Sequence, residues 1–307
     1  MLALVAPGQG SQTPGFLAPW LELEFAKDLL NHWSDLIELD LLRLGTTADA
    51  DEIRETSNAQ PLLVAAGLIG ASAIFGEDES AISVVAGHSV GEITAAALAH
   101  VFTSQDAIKL VRSRGVEMSR AAMGSETGMS ALLGGDREII IGALAELGLT
   151  AANENGAGQI VAAGKLSALA QLAENPPAGS RVRPLAVSGA FHTSVMQPAV
   201  AVLGELASRL TTQDPSFSIL SNKEGAEIST GGEVLNRIVG QIAGPVRWDL
   251  CMDTLATMGV TGVIELPPAG TLVGLIKRAH PEIETFALKT PEDIAAAREF
   301  AERHGSK

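Results

Sequence analysis

Tyrosine is absent from this 307-residue chain, and Trp and Phe contribute only three and eight residues. A core of this size must therefore be aliphatic, and alanine is abundant enough to pack it closely. A single cysteine, Cys251, excludes an internal disulfide framework and points to a reduced, cytoplasmic setting. Cys251 itself reads as a small buried hydrophobe rather than a nucleophile. Basic residues are scarce. Against 36 Asp and Glu there are 21 Lys and Arg, a net charge of −15, which argues against nucleic acid or an anionic membrane surface as partner. No apolar run is expected to be long enough to span a bilayer. The opening Met1-Leu2-Ala3-Leu4-Val5-Ala6-Pro7 lacks a basic leader region and reads as a first strand.

What is there is punctuated by glycine. Residues 87–92 read Gly-His-Ser-Val-Gly-Glu. The apolar run Ala81–Ala86 before them reads as a buried strand, and the alanine-rich Ile93–Ala99 after them as a helix. A serine between two glycines at a strand-to-helix corner is the nucleophile-elbow pattern. Bare Gly-x-Ser-x-Gly occurs by chance in many loops; the flanking strand and helix set this one apart. The turn lifts Ser89 into the open, and the helix beside it directs N–H groups and a positive dipole end toward it. Such a serine can attack a carbonyl while neighbouring N–H groups hold the oxyanion.

A serine needs a base. Six histidines are available. His88 adjoins Ser89, but neighbours at a sharp turn rarely point at each other. His32, His280 and His304 lie in polar helical or tail contexts and are expected to be solvated, and His100 ends the elbow helix. His192, in the loop Ser188-Gly189-Ala190-Phe191-His192-Thr193 between a strand and a helix, stands where open α/β sheets place functional groups. It ranks first, the alternative being a helix-capping role. Its ring could be oriented by an acid or by a carbonyl oxygen, and the residues alone leave this open. Arg112 and Arg114 lie on the helix predicted over 104–121. Each is either a solvated helix arginine or a bidentate fork for a substrate carboxylate.

The remaining pattern is α/β. Helices are expected around 17–44 and 61–75, with a glycine-bearing break over 123–128. Strand 129–133, helix 136–147, a hairpin of strands 149–153 and 159–163, helix 165–174 and strand 181–187 follow. That is the β-α-β-β-α-β order of a ferredoxin-like unit. Helix 198–210, strand 217–220, helices 232–243 and 248–258, strand 262–266 and helix 271–279 complete the chain, with a charged tail after Lys289 expected to be peripheral. The expected architecture is an α/β-hydrolase-like large domain, 1–123 and 190–307, with a small ferredoxin-like subdomain, 124–189, inserted.

An ordered set of motifs runs nearly end to end: Pro7-Gly8-Gln9-Gly10-Ser11-Gln12, Gln60-Pro61, Gly87–Glu92, Arg112-Ser113-Arg114-Gly115 with Met118, Asn155–Gln159, Gly189-Ala190-Phe191-His192, Gln241 before Pro245-Val246-Arg247-Trp248, and Glu265-Leu266-Pro267-Pro268-Ala269-Gly270. Together they resemble the malonyl-CoA:acyl-carrier-protein transacylase family. The resemblance implies Ser89 as acylated nucleophile, His192 as base and the Gln241 backbone carbonyl as its orienting acceptor. It implies the N–H groups of Gln9 and Val90 as oxyanion hole and Arg114 as clamp for the malonate carboxylate. His88, Gln60, Met118, Asn155 and Phe191 would surround the substrate, Phe191 crowding a methyl-branched acyl group.

A CoA thioester and an acyl carrier protein would be substrates, with no cofactor or metal, in fatty-acid synthesis. The alternatives are a discrete acyltransferase of polyketide synthesis and a serine esterase or thioesterase. Since such carriers are acidic, a local basic patch is expected, with Arg181, Arg183, Lys277 and Arg278 as candidates. One departure is visible: Pro267 stands where the family has glycine.

Overall fold

The computed structural model describes residues 1–187 and 189–305. Strand β1 (Leu2–Ala6) is buried along its whole length. The expected helix over 17–44 is broken into a 3-10 turn over Ala18–Glu22, α1 (Glu24–Ile37) and α2 (Leu41–Thr46). The break falls where Glu38 turns left-handed at φ 51°, without a glycine to announce it. Helices α3 (Ala50–Arg54) and α4 (Thr56–Phe75) follow. Contrary to expectation, α4 is long and apolar enough to cross a bilayer, but most of it is buried inside the protein as a core helix.

Next come β2 (Ile82–Gly87), α5 (Gly91–Leu98) and α6 (Ser104–Ala122). The middle of the chain forms β3 (Thr127–Gly134), α7 (Arg137–Glu146), β4 (Thr150–Gly156), β5 (Gln159–Lys165), α8 (Leu166–Glu174) and β6 (Ser180–Pro184). The remainder comprises α9 (Gln197–Ala207), β7 (Ser218–Leu220), β8 (Glu227–Ile228), α10 (Gly231–Gln241), β9 (Val246–Arg247) and α11 (Trp248–Thr257). It ends with β10 (Gly262–Glu265), α12 (Thr271–Ala279), β11 (Glu284–Ala287) and α13 (Ile294–His304).

Two sheets result. The large one has the order β11-β10-β1-β2-β7-β8 and is parallel except for β8. Its strands β1, β2 and β10 are buried almost throughout, as a sheet with helices on both faces requires. This is the α/β-hydrolase-like layer. The chain leaves β1 toward β2 and later returns to β1's other side as β10, so a topological switch point lies beside β1. The second sheet has the order β6-β3-β5-β4-β9. Its first four strands are mutually antiparallel neighbours, the ferredoxin-like order. The fifth, β9, lies far along the chain and pairs in parallel with β4 through Asn153↔Val246 and Glu154↔Arg247.

Two expectations fail near the end of the chain. The tail after Lys289 contains α13, which buries Ala297, Phe300, Ala301 and His304. His304 is not solvated: it is 9% exposed, and its Nδ1 lies 3.0 Å from Thr261 Oγ1. The core is aliphatic as expected, with Trp20, Trp33 and Trp248 as its largest side chains.

Candidate active site

The elbow forms because two glycines permit contacts no side chain would allow. A Cβ on Gly87 would lie 1.9 Å from the Gly91 carbonyl carbon, and one on Gly91 only 2.2 Å from Ala6 O. The start of α5 is thereby pressed onto β1 and β2. Between them Ser89 adopts φ 53°, a left-handed conformation that costs about 1–3 kcal/mol and persists only where its surroundings impose it. Asn222, just beyond β7, imposes it: its Oδ1 accepts from Ser89 N at 2.7 Å and its Nδ2 donates to Gly87 O at 2.8 Å.

His192 reaches the serine from the other side. Its backbone N–H donates to Ile242 O at 3.1 Å, and its ring Nδ1 lies 2.8 Å from Gln241 O. A carbonyl can only accept, so Nδ1 carries the proton and Nε2 is free to accept. Nε2 lies 2.8 Å from Ser89 Oγ. The question left open by the residues is thereby answered: a carbonyl, not a carboxylate, orients the ring. That carbonyl ends α10, and a helix C-terminus favours positive charge on an imidazole. Burial, then the nearby Arg114 charge, push the His192 pKa down to about 3. The resting base is neutral.

Arg114 is 1% exposed. It can approach because Gly115 lets α6 pack against α4, a Cβ there meeting Thr56 O at 2.9 Å. Its Nη1 donates to Gln60 Oε1 at 2.7 Å, its Nη2 to Gln241 Oε1 at 3.0 Å, and Nη2 sits 3.4 Å from Ser89 Oγ. Its Nε has no partner among the described residues. Burial lowers its pKa to about 10, so it remains charged. Two amide oxygens and a hydroxyl hold it, which leaves the charge free for an anionic ligand. Arg112 instead turns to Ser57 O at 2.9 Å.

One cleft gathers these groups. Gln9, Gln60, His88, Ser89, Val90, Arg114, Met118, Asn155, Phe191 and His192 all line it. Gln241 lies beneath, bonded to His192 and Arg114. His88 Nε2 donates to Asn155 Oδ1 at 2.8 Å, joining the elbow to β4. Met129, Ala131, Val161, Leu185 and Val187 supply an apolar wall, and Leu272 and Leu275 of α12 another. Glu265 anchors that helix by accepting from the N–H groups of Gly270, Leu272 and Val273 at 2.9–3.0 Å. Pro267, the departure from the family's glycine, packs on Gly70 of α4 and is not among the residues that line the cleft. Ser188, first residue of the expected His192 loop, lies outside the described residues.

Two residues carry weight that sequence reasoning did not give them. Asn222 holds the elbow, and its only local signal was a polar residue at the end of a parallel strand. Glu92 stood inside the recognised motif without a role. It is 3% exposed and accepts from Asn222 N and Gln241 Nε2.

The acyl transferase domain model matches residues 4–295. Among curated relatives, the malonyl CoA-acyl carrier protein transacylase of Mycobacterium tuberculosis is 48% identical over 300 residues, covering 96% of this chain and 98% of the relative. That of Escherichia coli is 32% identical over 310 residues, with 97% and 99% covered. A crystal structure of MCAT from Mycobacterium tuberculosis superposes with TM-score 0.92 at 47% identity, covering 97% and 99%. A type II PKS acyl-carrier protein in complex with its malonyl-transacylase offers a second match, TM-score 0.91 at 29% identity with 97% and 99% covered. On matches of this extent, with an elbow serine, a neutral histidine and an uncommitted buried arginine in one cleft, the chain belongs to the acyl transferase domain family, among the malonyl CoA-acyl carrier protein transacylases.

Proposed function

We propose that the protein transfers the malonyl group of malonyl-CoA to the phosphopantetheine thiol of acyl carrier protein, through a malonyl ester on Ser89, for fatty-acid synthesis. The observation that carries this reading is the place of Arg114. A buried cation 3.4 Å from the nucleophile, held among the described residues by the neutral acceptors Gln60, Gln241 and Ser89, suits an acyl group that ends in a carboxylate. A neutral acyl chain would leave that charge unpaired.

The chemistry runs in two balanced halves. Ser89 Oγ attacks the thioester carbon as its proton passes to His192 Nε2. The oxyanion is held by the N–H groups of Gln9 and Val90, because Ser89's own N–H is committed to Asn222. The C–S bond breaks, and the CoA sulfur leaves with the proton from His192. The carrier's thiol then gives its proton to His192, attacks the ester, and restores the Ser89 hydroxyl. Part of what holds His192's proton affinity down is the Arg114 charge. The malonate carboxylate offsets that charge, so the correct substrate strengthens the base that acts on it. Apolar walls keep water from the ester between the halves. His88, Gln60, Met118, Asn155 and Phe191 shape the acyl site, Phe191 against branched acyl groups.

The structural relative that holds a type II PKS carrier supports a second reading in which polyketide synthesis is supplied, since the transfer is the same. The buried free Cys251 fits a cytoplasmic setting. Intact-protein mass spectrometry after mixing with malonyl-CoA tests the proposal. Wild type gains a malonyl mass and Ser89→Ala does not, and acetyl-CoA gives no comparable adduct. A wild-type protein that neither gains the mass nor releases free CoA would refute it.

A further inference from the structure

Glu92 lies in the first turn of α5 and is sealed from solvent. An ionised carboxylate only accepts hydrogen bonds. One oxygen takes Asn222 N–H, the other takes Gln241 Nε2–H at 2.6 Å. Gln241 Nε2 also donates to Asn222 Oδ1 at 3.0 Å. With two acceptors on that side, the Gln241 amide has one satisfactory orientation. Its Oε1 must face Arg114 Nη2, as it does at 3.0 Å. A flipped amide would set donors against the guanidinium and an oxygen against two acceptors.

We propose that Glu92 is a positioning residue that fixes the Gln241 amide, and through it the aim of Arg114, so that it sets the preference for carboxylated over neutral acyl groups. The inference rests on the reading of Arg114 given above. Glu92 also supplies a negative charge that favours the cationic form of Arg114, but from behind one intervening amide. A carboxylate in direct contact with Arg114 would compete with the substrate. Placed one amide away, it supports the charge and leaves the face toward Ser89 open.

Charged and titratable neighbours face Glu92 from three helices: Arg114 on α6, Arg237 on α10 and Cys251 on α11. Burial outweighs the two arginines and the bond from Asn222, and raises the Glu92 carboxyl to about 7. Protonation removes one acceptor, as Glu92→Gln would, and turns a donor toward a donor. His192, held down to about 3 chiefly by burial, stays neutral while Glu92 titrates, and burial lowers the His88 pKa as well.

The test compares two acyl donors on wild type, Glu92→Gln and Arg114→Ala. Malonyl-CoA reports carboxylate recognition. Release of nitrophenolate from p-nitrophenyl acetate, with the Ser89→Ala rate subtracted, reports the serine and histidine alone. In Glu92→Gln, kcat/KM for malonyl-CoA is expected to fall at least ~10-fold further than for the ester. Parallel losses, or no loss, would overturn the role of Glu92. If Arg114→Ala spares malonyl-CoA, the carboxylate reading itself fails. Should Glu92→Gln not fold, the wild-type ratio of the two rates decides. It is expected to drop as pH falls through about 7, and a flat ratio overturns the inference.

Discussion

At Arg114 a full charge is kept in a dry site with amide oxygens for company, an arrangement that lowers stability unless a ligand completes it. Replacing it with alanine is expected to cut kcat/KM for malonyl-CoA by at least ~100-fold, because a buried carboxylate then loses its partner. Arg114→Lys should rescue little, since a point charge cannot satisfy Gln60, Gln241 and the ligand from one planar fork. Steady-state kinetics on the two variants checks both statements, and a lysine variant near wild-type rates would contradict the geometry. His192 carries a pH signature. Its pKa lies near 3 in the fold against 6.5 in an unfolded chain. The unfolded state therefore binds more protons between these values, and the residue's contribution to stability is present above 6.5 and lost as pH falls toward 3. Melting temperature against pH should accordingly fall more steeply on the acid side for wild type than for His192→Ala. Identical slopes would show that the ring is not held neutral.

The elbow is an element-scale object, and its tolerance is set by backbone contacts. Gly91→Ala would place a methyl 2.2 Å from Ala6 O and force α5 away from β1. A loss of ~3 kcal/mol in denaturant unfolding is expected, and an unchanged midpoint would mean that the corner is looser than its packing shows. This corner was legible in the sequence because strand, turn and helix are contiguous and each has a local pattern. So were Ser89, His192 and, through the resemblance, Arg114. Other elements left no such trace. β9 is two residues long and exists only because β4 offers it an edge. β11 borders the sheet and is partly exposed, so it lacks an apolar run. In α13 the apolar residues Ala297, Phe300 and Ala301 recur at helical spacing, but surrounding charges hid the stripe. The carboxylate–amide–guanidinium chain from Glu92 to Arg114 joins residues from three separate elements, and no local spacing encodes it.

Over the whole molecule the net charge is −15, so an acidic carrier must find a locally favourable approach. Arg181 and Arg183 are exposed on β6, an edge strand of the second sheet, and Lys277 and Arg278 are exposed at the end of α12, whose Leu272 and Leu275 line the cleft. Reversing the charge of Arg183 and Lys277 together is expected to raise KM for the carrier at least ~3-fold and to steepen its salt dependence less than in wild type, with KM for malonyl-CoA nearly constant. Equal KM values for the carrier would place its docking surface elsewhere. The seam between the sheets has a different consequence. β9 hydrogen-bonds into the second sheet while its successor α11 packs in the core beneath the first. Beside it Glu154 meets both Arg137 and Arg247, at 2.6 and 3.5 Å, and Arg247 in turn holds Asp249 at 2.8 Å. The second sheet cannot part from the core of the first without breaking the β4–β9 backbone pairing or pulling α11 from its packing. Heating should therefore give a single calorimetric transition whose measured enthalpy matches its van 't Hoff value, rather than an early loss of the smaller layer.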